Sequence, residues 1–322
     1  MLRCVALVMV LVCGFSLRAE IDPSWTAPQK PFRIAGNLYY VGSRDLAAYL
    51  VITSAGNILI NANLESSLPQ IRASVEKLGF RWADTRILLN SQAHFDHAAG
   101  SAEILRETGA KLMVMDGDVR AMETGDAHDF GGSDLLRFPP AHVSRVLHDG
   151  DTVRLGEVVM TAHKTAGHTR GCTAWTMQVE DHGHVRNVVI VGGFAALNSY
   201  RLIATPGRPA SYPGIAEDFL HGFAVERKLP CDIFLGAHGM YFGLQEKLAR
   251  LPKEGNSVWI DPQGYQQTIA DAQKSIEDRI TAERREASAG KQRHTAATLI
   301  RLPSTRPADW LRPPCRTRCR SL

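Results

Sequence analysis

The sequence predicts an α/β protein built in layers, with sheets covered by helices. Three observations predict it. Short apolar runs of strand length fall into two groups, one before residue 116 and one after residue 151. Segments with apolar residues at helical spacing are mixed with both groups. The composition is ordinary for a globular chain: 44% hydrophobic and 22% charged over 322 residues, with 27 Gly and 16 Pro. That excludes a disordered polymer, a collagen and a coiled-coil rod.

Residues 1–19 read as an address rather than as part of the fold. Arg3 precedes an almost unbroken apolar run over 4–17, and Ala19 supplies a small residue at a plausible cleavage point. This is the pattern of a secretory signal peptide, which implies a periplasmic or secreted protein. The alternative is a membrane anchor, for which the run is short. A lipoprotein is disfavoured because Val12 precedes Cys13. No later stretch is apolar enough to span a bilayer, so no membrane association is expected after cleavage.

Residues 20–35 form an exposed arm with Pro23, Pro28 and Pro31. Residues 37–63 are strand-like, with Ser54-Ala55-Gly56-Asn57 as a hairpin turn. Leu68, Ile71, Val75 and Leu78 recur at helical spacing, which predicts a helix over 66–79 stopped by Gly79. A short buried strand follows at 85–90, a helix at 99–109 and a strand at 111–115. Residues 116–146 read as loop. Strands are predicted within 152–166 and at 185–191, a helix at 213–228, a strand at 232–236 and a charged helix at 264–288. No internal repeat is visible.

Charge is unevenly spread. The formal net charge is +4, but residues 20–290 hold 27 Lys/Arg against 32 Asp/Glu, and the excess of base lies in residues 291–322. The body is mildly acidic, so nucleic acid is not an expected partner. The basic tail lacks periodicity and reads as disordered, with a surface-binding arm as the alternative. The folded unit is therefore expected over 20–290. Cys172, Cys231, Cys315 and Cys319 are too few for a disulfide framework. Cys315-x3-Cys319 lacks a second pair for a zinc knuckle.

The chemistry is concentrated in Ser91-Gln92-Ala93-His94-Phe95-Asp96-His97, directly after the strand at 85–90. His94 and Asp96 alternate, so an extended backbone points them the same way. His97 sits at the turn into the next helix. Imidazoles with a carboxylate at such spacing suit zinc. The plainer reading is a polar loop whose histidines satisfy backbone groups, but three donors in four residues favour a metal. His168, in Ala166-Gly167-His168-Thr169, and His238, in Leu235-Gly236-Ala237-His238, also follow strands, where loops commonly carry function. The other histidines lack this pattern. His182-x-His184 reads as a solvated hairpin tip.

These motifs together resemble the metallo-β-lactamase superfamily over roughly residues 30–285. The chain is most similar to the third subclass of secreted zinc β-lactamases, through 130–141, 147–176 and 228–238. The resemblance implies a four-layer αββα sandwich with the site at one edge between the sheets. It implies a first zinc position bound by Gln92, His94 and His168, and a second bound by Asp96, His97 and His238. It further implies a water activated by metal that attacks the lactam carbonyl of a small β-lactam substrate. Asp96 would be the catalytic residue, holding metal and orienting that water. The implied protein is a β-lactamase conferring antibiotic resistance and acting as a monomer. Trp25 and the loop around 128–138 would cover the substrate, although Trp25 reads equally as a surface anchor.

The sequence departs from the patterns of its relatives in four places. Gln92 stands where the motif has His; a Gln-bearing variant of this subclass exists. A carboxamide oxygen is a neutral, harder donor than imidazole, so the first position is expected to be weaker. Three readings stay open: a variant site with two metals, an enzyme working from the second metal alone, or a dead relative. Gly192-Gly193 replaces the bridging Asp of the lactonase, glyoxalase and phosphodiesterase branches, which favours the β-lactamase branch. Phe194, Ala195 and Ala196 stand where serines hold the substrate carboxylate, so Asn198, Ser199 and Arg201 become the candidates for that contact. Cys231 matches one half of the subclass disulfide, without a partner near 261–265. The alternatives are another metal-dependent hydrolase of this fold, acting on a lactone or thioester, and a non-catalytic metal-binding relative.

Overall fold

Two sheets face each other across the main core. In the computed structural model, which describes residues 21–126, 130, 137–205 and 207–300, the first sheet has seven strands in sequence order. They are β1 (Phe32–Ala35), β2 (Leu38–Tyr40), β3 (Tyr49–Thr53), β4 (Gly56–Ile60), β5 (Thr85–Leu89), β6 (Lys111–Met115) and β7 (Arg145–Leu147). Neighbours run antiparallel as far as β4 and parallel from β4 to β7. The second sheet holds β8 (Thr152–Leu155), β9 (Val158–Lys164), β10 (Thr173–Asp181), β11 (His184–Val191) and β12 (Ile233–Gly236), in the order β12-β11-β10-β9-β8. The β11–β12 pair is parallel and the other neighbours are antiparallel.

Strand residues divide between two cores. Ile58, Ile60, Ile87 and Leu89 point between the sheets, where they meet Met160, Trp175, Ile190 and Leu235. The intervening Leu59 and Leu88 point the other way, joining Leu112 and Val114 against Ile71, Val75 and Ile104. Those last three lie on α2 (Leu68–Lys77) and α4 (Ser101–Thr108). Both faces of β4 and β5 are therefore dry, which is why their text is a continuous apolar run rather than an alternation. On the far side, Phe219 and Phe223 of α6 (Ile215–Glu226) and Ile269 and Ile276 of α8 (Pro262–Ile300) cover the second sheet. The order is helix, sheet, sheet, helix, the sandwich that the sequence implied.

Several boundaries differ from the sequence expectation. The arm contains α1 (Pro23–Thr26), started by Asp22 accepting the Ser24 amide at 2.8 Å, and then β1. Helix starts earlier than 99: α3 (Phe95–Ala98) begins inside the donor motif, and Gly100 separates it from α4. The stretch 116–146, expected as loop, holds α5 (Val119–Thr124) and β7, both too short to show a period. α8 runs from Pro262, at its first turn, to Ile300. Its buried stripe of Tyr265, Ile269, Ile276 and Ile280 anchors the first half. Ala- and Arg-rich text without proline continues it past residue 290, so the backbone of 291–300, expected within a disordered tail, is helical. The leader, residues 128, 129 and 131–136 of the covering loop, and Cys315 and Cys319 lie outside the described residues. Cys172 and Cys231 are free thiols. Among the described residues no helix is long and apolar enough to cross a membrane. His182 is an exposed turn residue at φ 51°, at the tip between β10 and β11.

One buried acid gives the fold a pH dependence. Glu226, at the end of α6, is 1% exposed, and burial pushes its carboxyl up to about 8. The unfolded chain releases that proton near ~4.3. Between these values the native state binds more protons, so stability falls as pH rises, at about 1.4 kcal/mol per pH unit for one group. Glu226→Gln stays neutral throughout. Urea unfolding at pH 5.5 and 8 should therefore show a smaller loss of stability in the variant than in the unchanged protein.

Candidate metal centre

The site forms where strands from both sheets end. β5 delivers Gln92, His94, Asp96 and His97; the loop between β9 and β10 delivers His168; β12 delivers His238. Local backbone chemistry fixes these loops. Asn61 and Asn63 take left-handed backbone, at φ 65° and 57°, which Asn tolerates better than most residues. The Asn61 carboxamide oxygen accepts the Ser91 amide at 2.9 Å, and the Ser91 carbonyl accepts the Thr173 amide at 2.8 Å. Asp118, 1% exposed, accepts from the Ala93 amide at 2.9 Å, the Thr169 hydroxyl at 2.7 Å and the Gly171 amide at 2.7 Å. One carboxylate thus ties the loop bearing His94 to the loop bearing His168. Gly193 leaves room for that arrangement, since a Cβ there would lie 2.7 Å from the His168 ring.

The donors separate into two sets. In one, His94 Nδ1 and His168 Nε2 are 3.1 Å apart. Beside them Gln92 is 1% exposed, its amide nitrogen donates to the Gly192 carbonyl at 3.1 Å, and its Oε1 has no hydrogen-bond partner. In the other set, His97 Nε2 and His238 Nε2 are 3.1 Å apart, and Asp96 Oδ2 lies 3.2 and 3.4 Å from them. Asp96, His97 and His238 offer ligand atoms within 4.8 Å of one another. A tetrahedral zinc with ligands at 2.0–2.1 Å needs donors roughly 3.3–3.4 Å apart, so both sets fit the ion, and the stranded Gln92 oxygen fits a third ligand.

Neighbouring groups set ring orientation and charge. His168 Nδ1 donates to the Ala195 carbonyl at 2.6 Å, leaving Nε2 as the donor atom. The Tyr200 hydroxyl donates to the His168 carbonyl at 2.8 Å and lies 3.0 Å from His94 Nε2, which leaves His94 Nδ1 free. Burial holds His94 down to about 3, helped by His168, and holds His168 down to about 4. Both rings are neutral at physiological pH, the form that binds metal. His238 differs. Burial pulls it down, but hydrogen bonds to Asp45 and Asp96 outweigh that and push it up to about 9. Asp45 holds His238 Nδ1 at 2.8 Å and the Met240 amide at 2.9 Å. Burial works against the Asp96 carboxylate, yet the His97 and His238 rings hold it well below the usual range.

A cavity of about 200 Å³ opens over both sets, lined by apolar Trp25, Phe95, Ala195, Leu197 and Tyr241 together with donors and Asp126. The Trp25 ring lies 5.7 Å from His238 and 6.1 Å from Phe95, so the arm forms a wall of the site rather than a detached surface anchor. Asn198 and Ser199 are exposed, and neither they nor Arg201 line this cavity; Ala195 and Leu197 do. The rim of this cavity is apolar on that side, with Asn198 and Ser199 facing solvent and Tyr200 buried behind Leu197. A larger groove of about 850 Å³ lies on the outer face of the second sheet. Two polar pairs lie in it, His163–Thr176 at 2.9 Å and Gln178–Asn187 at 3.1 Å, and it holds none of the donors. The sequence reading missed Asp45, Asp118 and Tyr200. Asp118 and Asp45 stand in ordinary polar loop text, and no spacing rule marks them.

Metal donors at the strand ends of an αββα sandwich define a metal-dependent hydrolase. The model of the metallo-beta-lactamase superfamily matches residues 44–182. The native FEZ-1 metallo-beta-lactamase from Legionella gormanii is similar at 46% identity and TM-score 0.78, over 80% of this chain and 98% of that one. The class B3 di-zinc metallo-beta-lactamase LRA-12 from an Alaskan soil metagenome is similar at 35% identity and TM-score 0.73, over 80% of this chain and 97% of that one. A hydroxyacylglutathione hydrolase of Rhodospirillum rubrum is 32% identical over 115 residues, 35% of this chain; the match spans only 37% of that protein. The chain belongs to the metallo-β-lactamase superfamily, as a relative of its B3 enzymes.

The Asp45–His238 bond predicts that Asp45→Ala lowers zinc affinity at the Asp96/His97/His238 set by roughly 10–100-fold, as loss of a carboxylate behind a ligating histidine does. Competition with a chromophoric chelator measures it. Asp118→Asn puts an amide donor against groups that donate, so urea unfolding should record a loss of about 2–3 kcal/mol.

Proposed function

We propose that the protein is a β-lactamase of the B3 type that hydrolyses the β-lactam amide with zinc held in two positions. Gln92, His94 and His168 hold the first; Asp96, His97 and His238 hold the second. The observation that carries this reading is the pair of donor sets, each at zinc-compatible spacing, side by side under one cavity. Zinc bound there supplies Lewis-acid polarisation of the lactam carbonyl and a water acidic enough to ionise near neutral pH.

The chain's own residues do the rest. Asp96 stays ionised, because the rings of His97 and His238 favour its anion. A carboxylate held so low is a poor store for a proton, so its part is to hold metal and orient the attacking water. Trp25, Phe95, Leu197 and Tyr241 pack against the apolar parts of the substrate and exclude bulk water. Gln92 gives the first position one neutral oxygen donor in place of a nitrogen, which weakens it relative to the second.

The same reading takes residues 1–19 as an export leader and the mature enzyme as a monomer, acting in the periplasm or outside the cell to protect it from β-lactams. The amino-terminal sequence of the mature protein should begin near residue 20. The likeness to a hydroxyacylglutathione hydrolase supports a second reading, a thioester or lactone hydrolase.

Zinc titration into purified protein, followed by carbapenem hydrolysis, tests the proposal. The expected result is hydrolysis that rises with zinc, first at the second position and then at the first. His238→Ala should abolish both tight zinc binding and turnover, whereas Gln92→His should tighten the weaker zinc. Bound zinc with no β-lactam turnover, but with turnover of thioesters or lactones, would replace this reading with the second one.

A further inference from the structure

The first metal position depends on a wall that has no regular secondary structure of its own. The segment leaving β11, residues 194–203, carries the Ala195 carbonyl that accepts from His168 and the Tyr200 hydroxyl that stands between His94 and the His168 backbone. Neither sheet hydrogen bonds nor a helix hold its backbone.

Helix α8 holds it instead. Arg279 Nη1 donates to the carbonyls of Ala196, at 3.1 Å, and Leu197, at 2.8 Å, and Nη2 donates to the carbonyl of Tyr200. Its Nε donates to Glu283 Oε1 at 3.1 Å, one helical turn on. Glu283 Oε2 accepts the backbone amides of Leu202 and Ile203, each at 2.8 Å. One ion pair therefore binds five backbone groups between residues 196 and 203. The two side chains are only 25% and 13% exposed, so solvent screens them weakly. An isolated pair at this spacing adds only ~0.2–0.5 kcal/mol to its helix. Here the planar fork and the carboxylate are both spent on a neighbouring segment, a task that a point charge performs poorly.

We propose that Arg279 and Glu283 are positioning residues for the first metal position, latching residues 196–203 so that Ala195 and Tyr200 keep the rings of His168 and His94 turned toward a shared ion. The inference rests on the two-position reading of the site. The second position is supported separately, through Asp45 and His238, so loss of the latch weakens one position and spares the other.

The test compares the full chain with Arg279→Ala, Arg279→Lys and Glu283→Gln. It reads zinc affinity by chelator competition and hydrogen exchange of the amides at 196–203. Arg279→Ala should speed exchange at Leu202 and Ile203 and weaken the weaker zinc by about tenfold or more, with the tighter zinc held within about twofold. Arg279→Lys should fall between, because one ammonium does not span three carbonyls and a carboxylate. Faster exchange with both zinc affinities unchanged overturns the proposal, and so does unchanged exchange. Equal weakening of both positions overturns it too, since the pair would then be a general stabiliser. If the unchanged protein binds only one zinc, the two-position reading fails by itself. The latch is then judged on the imidazole nitrogen resonances of His94 and His168, and their invariance in Arg279→Ala overturns it.

Discussion

The buried carboxylate of Asp118 is the constraint on which the rest of the site depends. The donors come from two sheets whose cores are apolar and indifferent to the fine register of one loop against another. Hydrophobic packing brings the strand ends to the same edge, but it is non-directional. The three short hydrogen bonds that Asp118 accepts are directional, and they tie the backbone beside Gln92 and His94 to the backbone beside His168. Charge-assisted bonds to backbone amides are among the stronger ones available to a protein. Here they convert coarse proximity into the 3.1 Å approach of two ring nitrogens.

The two donor sets differ in electrostatic character although they share a cavity. The first is electrically neutral, a carboxamide with two imidazoles kept uncharged by burial. The second contains one carboxylate and lies against another, Asp45, so it attracts a cation even before its geometry is considered. The sites are supported by different parts of the chain: the amino-terminal connection before β3 steadies His238, whereas the wall after β11 steadies His94 and His168. This asymmetry comes from the protein and is independent of which substrate enters.

Much of the layered fold was legible because its strands are buried on both faces or paired by clear turns, as with Ile58–Ile60 and the Ser54-Ala55 hairpin. The short elements α5 and β7 were not, since one and a half turns of helix or three residues of strand carry no period. The cluster of His94, Asp96 and His97 was legible because donor spacing within four residues is a local property. His168 and His238 were legible as histidines that follow strands. Asp45, Asp118 and Tyr200 were not, because their value lies in partners 193, 51 and 106 residues away. Asn198, Ser199 and Arg201, read as candidate substrate contacts, do not line the cavity over the donors. Sequence gives the order of residues in an irregular segment but not which of them turns inward.

The chain separation of the candidate donors also has a consequence in time. His97 and His238 are 141 residues apart. Ribosomes add roughly 5–20 residues per second, so an emerging chain would carry its first histidines for several seconds or longer before their partner exists. Until then the chain carries only Asp96 and His97 of that set, and two donors hold a metal ion more loosely than three. The Asp96/His97/His238 set is therefore complete only once β12 has docked beside β11. Completion of that set thus waits on the last strand of the sheet to be synthesised.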